Sequence, residues 1–202
     1  MAAVGILAGC AVVIALTLAP SGHRAGGREQ LFGATSVWNA PLPRNAPLDP
    51  GSPAMISWLL GQVRHEFAYG PTPDIETVSD STPIYRVPAG QRDVRVALES
   101  DAPWARTLAR ALHAVPIPPG ARPSGGPDSE LTILQPSTDR LWELWEAHRT
   151  RSGWEAAWGG AMQDVRSSPG YFSDSSWPGA RSFWGASATS LPLAAGTMLI
   201  GQ

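Results

Sequence analysis

Hydrophobic and polar positions divide the chain into an apolar head, a short polar link and a long mixed region. From Ala2 to Ala19 every residue is apolar or small, at the lower edge of the ~20 residues a helix needs to cross a bilayer. Ser21 to Gln30 (SGHRAGGREQ) is polar and glycine-rich, which is linker composition. A single domain is therefore expected over 31–202, preceded by a signal peptide or membrane anchor over 1–20 and a linker over 21–30.

Within the domain the clearest element is a helix. Ser52-Pro53 followed by Ile56, Leu59, Leu60 and Val63 places a capping residue and a proline ahead of an apolar stripe at helical spacing. A second helix is predicted over Asp101 to His113, where Trp104, Leu108 and Leu112 recur every four residues. Between them, Ile84–Val87 and Val94–Leu98 read as strands separated by Pro88-Ala89-Gly90, a hairpin-like arrangement. Val115 to Pro127 holds five prolines, which predicts an extended surface connector without regular hydrogen bonding.

Glu130–Gln135 then reads as a strand and Pro136-Ser137-Thr138-Asp139 as a turn. Arg140–His148 follows, and after a polar turn Trp154–Val165, in the pattern of a meander. The middle segment is ambiguous, because Leu141, Leu144, Trp145 and His148 also form a helical stripe with Asp139 as its cap; strand is the favoured reading. Ser167 to Gly185 has no clean period and is expected to be a long loop. The sum is a mainly β fold with two helices on its margin, an antiparallel sandwich or jelly-roll-like body.

Composition narrows the function classes. Gly (21) and Pro (20) make about a fifth of the 202 residues, which describes a loop-rich folded chain rather than low complexity. With 15 basic residues, all Arg, against 17 acidic ones the net charge is -2, so a basic nucleic-acid footprint is absent. Cys10 is the only cysteine, so the domain can form no disulfide framework and offers no thiolate ligand. The four histidines (His23, His65, His113, His148) lack metal-motif spacing, and Gly159-Gly160 lacks the Lys-Ser/Thr of a phosphate loop. No cofactor or metal is expected, and a serine-hydrolase elbow is missing around Ser187 and Ser190.

The apolar head bears on compartment. No basic residue precedes it, and Pro20 follows the best small-x-small site, Thr17-Leu18-Ala19, features that fit an uncleaved anchor better than a cleaved signal. Leu7-Ala8-Gly9-Cys10 resembles a lipobox, with Cys10 as the lipidated residue. All three readings place the domain outside the cytoplasm, with the N-terminal segment as its membrane contact.

Several segments together resemble an uncharacterised family of exported bacterial proteins. They are Ser36-Val37-Trp38-Asn39, the connector Val115-Pro116-Ile117-Pro118, Gln135-Pro136-Ser137-Thr138-Asp139 running into Leu141-Trp142-Glu143-Leu144-Trp145, Gly153-Trp154 with Trp158-Gly159-Gly160, Pro169-Gly170-Tyr171-Phe172, and Trp184-Gly185-Ala186 with Thr189-Ser190-Leu191-Pro192. The resemblance implies export, a β-rich body and a link to extracellular polysaccharide. Two departures matter: Asp128-Ser129-Glu130 and Glu155 stand where the family tends to have histidine. The family pattern also continues beyond Leu191-Pro192-Leu193, so the chain is expected to be a truncated reading frame whose Thr197–Ile200 strand lacks partners.

Nine tryptophans are the main chemical signal. Indole faces stack on the apolar faces of sugar rings while polar neighbours fix orientation. Trp142, Trp145, Trp154 and Trp158 fit core positions, whereas Trp177 and Trp184, in a loop-like stretch with Tyr171, are better placed for an exposed platform; the candidate ligand set is Trp177, Trp184, Tyr171 and Trp154. Carboxylates cluster from Asp128 to Glu155. Glycoside cleavage needs two of them, about 5–5.5 Å apart for retention or about 6.5–9.5 Å for inversion. Glu143 and Glu155 are the candidate pair, since flanking tryptophans would desolvate one and raise its pKa.

Three readings follow. The first is an exported envelope protein that binds extracellular polysaccharide through exposed aromatics. The second is a glycan hydrolase or lyase, which requires Glu143 and Glu155 to face one groove. The third is a structural envelope module, which requires all nine tryptophans to be buried.

Overall fold

The computed structural model describes residues 30–69, 77 and 79–197. The apolar head, most of the linker and the Thr197–Ile200 segment beyond Thr197 lie outside the described residues. Among the described residues no helix is long and apolar enough to cross a membrane.

Among the described residues the fold is mainly β, with two sheets of mixed orientation and three α-helices. The first sheet is built on a hairpin that the sequence announces. Strands β3 (Leu131–Gln135) and β4 (Arg140–Trp145) pair antiparallel, with Gln135 opposite Arg140 across the Pro136–Asp139 turn. Asp139 closes that turn at φ +55, a left-handed conformation that Asp tolerates, and its carboxylate accepts from the Arg166 amide and pairs with the guanidinium at 3.2 Å. The ambiguous segment is thus strand. β7 (Trp158–Gln163) adds antiparallel to β4, and β1 (Ile84–Arg86) adds parallel to β3, giving the order β1-β3-β4-β7.

The second sheet joins β2 (Val96–Leu98), β6 (Trp154–Ala156) and β5 (His148–Arg149) in the order β2-β6-β5. Here the structure departs from the hairpin expected over 84–98. β1 and β2 lie in different sheets, and each pairs parallel with a later strand, Ile84 with Thr132 and Val96 with Trp154. The pairing is therefore mixed rather than antiparallel throughout.

Both faces of the four-stranded sheet are covered, so β3 is buried along its whole length. One face carries Ile133, Trp142 and Ala161 in register and packs on α2 (Arg106–Ala111), where the Trp142 indole N–H donates to the Ala111 carbonyl at 3.4 Å. Leu108 and Leu112 are buried there as the helical stripe requires; Trp104 instead sits in a preceding 3-10 turn (Pro103–Ala105) and is exposed. The opposite face is covered by Phe172, Gly185 and Ala194, from a stretch with no regular element until α3 (Leu193–Gly196), while Trp177 of the same stretch packs on Trp142.

Two further expectations change. The proline-rich connector does not simply cover the surface: Val94 and Val115 exchange backbone hydrogen bonds, and Val115, Ile117 and Ala121 are buried in the core. The helix α1 (Ser52–Tyr69) forms where its stripe predicts, yet Met55, Ile56, Leu59 and Leu60 are between 47% and 58% exposed.

Candidate functional site

The site grows from strand alternation in β4. Successive side chains point to opposite faces, so Glu143 leaves the sheet on the face away from Trp142 and Leu144. In register beside it stand Thr132 on β3 and Gly160 on β7. A side chain at Gly160 would meet the Phe172 ring at 2.7 Å and the Gly185 amide at 2.8 Å. Glycine there lets the 171–194 chain settle onto the sheet, and this chain seals Glu143 from water.

Glu143 is fully buried. Its Oε1 accepts from the Ala194 amide at 3.0 Å, and among the described residues its Oε2 has no partner. Burial pushes its pKa from 4.5 up to about 7; amides of Ala194, Leu193 and Ala186 hold it back, and the nearby Glu130 carboxylate adds to the rise. At neutral pH the group is thus poised between carboxylic acid and carboxylate. The Thr132 hydroxyl, opposite it on β3, is also buried and unpartnered among the described residues.

In front of this wall lies a cleft of about 500 Å³ lined by Asp128, Glu130, Trp145, Trp158, Phe183 and Leu193, with the 185–188 segment closing one side. The Trp158 ring stacks against Phe183 with centroids 5.9 Å apart, and the exposed Trp104 leans on both at 5.1 Å and 6.2 Å. The Trp158 indole N–H donates to the Phe183 carbonyl at 3.2 Å, and that of Trp145 donates to Asp128 Oδ1 at 2.9 Å. Glu130 Oε2 accepts from the Thr82 hydroxyl at 2.5 Å. Both aromatic orientation and carboxylate position are thereby fixed before any ligand arrives.

The residues expected to form a platform are not brought together. Trp184 is fully buried under the loop that was to display it, with its indole N–H unpartnered among the described residues. Trp177 packs on Trp142 at 6.2 Å, and the Arg140 guanidinium lies 5.4 Å from its ring centre, occupying the face a sugar would need. Trp154 is buried in the second sheet with Arg149 at 5.5 Å. Tyr171 alone of the four is exposed.

The carboxylate pair is likewise separated. Glu143 belongs to the first sheet, whereas Glu155 belongs to the second and is held by the Thr150 hydroxyl at 3.1 Å, the Ser152 hydroxyl at 3.3 Å and His148 at 3.8 Å. Among the described residues they share no hydrogen-bond partner; the carboxyl that acts on Glu143 is Glu130. Sequence reasoning missed Trp104, Trp158 and Phe183 as a group, because residues that far apart in the chain carry no common period. One local signal existed: Trp158 opens an edge strand just before two glycines, which leaves its ring with few neighbours.

Among the described residues no three His, Cys, Asp or Glu side chains come together as metal ligands. Comparison of the chain with family models, with curated proteins and with solved structures gives no match.

Proposed function

We propose that this chain is an exported protein of the cell envelope that binds extracellular polysaccharide in the aromatic cleft. The observation that carries the reading is the cleft's make-up: stacked Trp158 and Phe183, with Trp145 beside them and fixed carboxylates at the edge. Sugar rings offer one apolar face and a rim of hydroxyls, and they are held by aromatic faces with a few polar groups of set orientation. The apolar Ala2–Ala19 run supports export and a membrane tether. The resemblance to exported bacterial proteins points the same way, and the reading treats the two sheets as layers of a sandwich-type body.

Glycan cleavage is the second reading, and one observation favours it. Glu143 near pH 7 beside Glu130 is the kind of carboxyl pair whose environments divide acid and base roles. Against it stands the burial of Glu143 behind Ala186 and Leu193, so binding is preferred. A purely structural module is disfavoured by the open cleft and by Trp104, which is 57% exposed.

The test is electrophoresis of the full chain through gels containing individual soluble polysaccharides. The reading expects retardation by at least one polysaccharide, relieved in Trp158→Ala. Unchanged migration in every gel would reject it.

A further inference from the structure

Every charged side chain lining the cleft is a carboxylate. Asp128 and Glu130 line it together with Trp145, Trp158 and Phe183, and no basic residue does so. Asp128 spends one oxygen on the Trp145 indole, and Glu130 spends one on the Thr82 hydroxyl. Each ionised carboxylate offers two oxygens with about four acceptor sites, so both keep acceptor capacity toward the cleft. Among the described residues neither forms an ion pair: the pairs present join His65 to Glu66, His148 to Glu155 and Arg166 to Asp139.

A third carboxyl, Glu143, stands directly behind the cleft wall, since amides of Leu193 and Ala186, both lining residues, act on it. Its Oε2 is buried without a partner among the described residues. Asp128 and Glu130 therefore concentrate negative potential where aromatic faces are exposed, whereas Glu143 is protonated and adds no charge at mildly acidic pH. A concave, low-dielectric wall focuses such a field on an approaching ligand. Indole and phenyl faces attract cations in addition, through the ring quadrupole.

We propose that the cleft selects a glycan bearing free, protonated amino groups, a de-N-acylated amino sugar, over neutral, N-acetylated and uronic-acid glycans. This rests on the glycan-binding reading above and names its substrate class. The sugar ring lies on Trp158 and Phe183 while its ammonium group donates to Asp128 and Glu130. A uronate in the same place meets two carboxylates and no cation. An N-acetyl group removes the positive charge and leaves both carboxylates without an ionic partner.

The test is calorimetric titration of the full chain, at mildly acidic pH, with four oligosaccharides of equal length: glucosamine, N-acetylglucosamine, glucose and galacturonate. The glucosamine oligomer is expected to bind about ten-fold tighter than the neutral ones, from two carboxylates and a cation–π contact, and the galacturonate oligomer weakest. In Asp128→Asn/Glu130→Gln, which keeps an acceptor for Trp145 and for Thr82, the glucosamine oligomer should lose its advantage over the neutral ones; an unchanged urea midpoint shows that the variant is folded. Equal or tighter binding of neutral or acidic oligomers overturns the amino-sugar assignment and leaves glycan binding intact. Absence of binding by all four, together with unchanged migration in every polysaccharide gel, overturns both.

Discussion

The amide of Ala194 donates to Oε1 of Glu143 at 3.0 Å, a bond that joins residues 51 positions apart. It anchors the last turn of the described chain to the centre of the four-stranded sheet. The same bond places a titratable group where water cannot reach it.

Stability should therefore fall as pH rises from about 4.5 to about 7. The Glu143 carboxyl ionises at 4.5 in the unfolded chain and at about 7 in the folded one. Between those values the unfolded state has released a proton that the folded state retains, so raising pH favours unfolding. The loss reaches about 3 kcal/mol once pH has passed 7. Urea midpoints of the wild type and Glu143→Gln between pH 4 and 8 isolate this group; the difference should grow in favour of the glutamine variant as pH rises. Parallel curves would count against the buried, raised carboxyl.

Close approach of β4 and β7 depends on Gly159, where a Cβ would run into the Glu143 carbonyl oxygen. Gly159→Ala should cost about 1–3 kcal/mol through overpacking, read as a lower urea midpoint. Gly90, whose added Cβ meets nothing within 4 Å, is the control, and Gly90→Ala should leave the midpoint nearly unchanged.

Helix α1 contributes little to global stability because its apolar stripe faces solvent. Leu59→Ser, at a residue 50% exposed, should shift unfolding by less than about 0.5 kcal/mol. Leu131→Ala, at a residue with no exposed surface, should cost about 2–5 kcal/mol. Thermal unfolding of the two variants side by side checks the contrast.

Binding and stability should separate between two tryptophans. Trp158→Ala removes a cleft face and should weaken polysaccharide binding about ten-fold, from stacking worth roughly 0.5–1.5 kcal/mol beyond its area. Trp177→Ala removes a ring packed on Trp142 and covered by Arg140; it should lower the melting temperature and leave affinity in place. Affinity electrophoresis and calorimetric scans of both variants provide the comparison.

Local pattern carried the hairpin around Pro136–Asp139 and both longer helices, because turn chemistry and helical spacing act within a few residues. It did not carry the partners of β1 and β2. Alternation fixes which side chains share a face, but the choice of Thr132 and Trp154 as partners is made by contacts far along the chain. Burial of Val115 and Ile117 was hidden for a similar reason: proline density argues against a ladder, yet Val115 keeps an amide, and that amide bonds to Val94.

Glu143 stood out in the sequence for its flanking tryptophans, but Trp142 points to the opposite face. Its desolvation comes from the 171–194 chain, which has no period to read. Trp184 misled for the same reason: a segment without regular structure can still cover a core. The exposed group of Trp104, Trp158 and Phe183 arises only when the 3-10 turn, the edge strand and the loop meet.

The most direct measurement is a proton–nitrogen correlation spectrum of the assigned tryptophan indoles, recorded while a retarding polysaccharide is titrated into the full chain. Cleft binding predicts shifts of the Trp104, Trp145 and Trp158 indole signals, with those of Trp142, Trp154, Trp177 and Trp184 unmoved. Shifts confined to Trp177 or Trp184, or a spectrum that does not change, would contradict it.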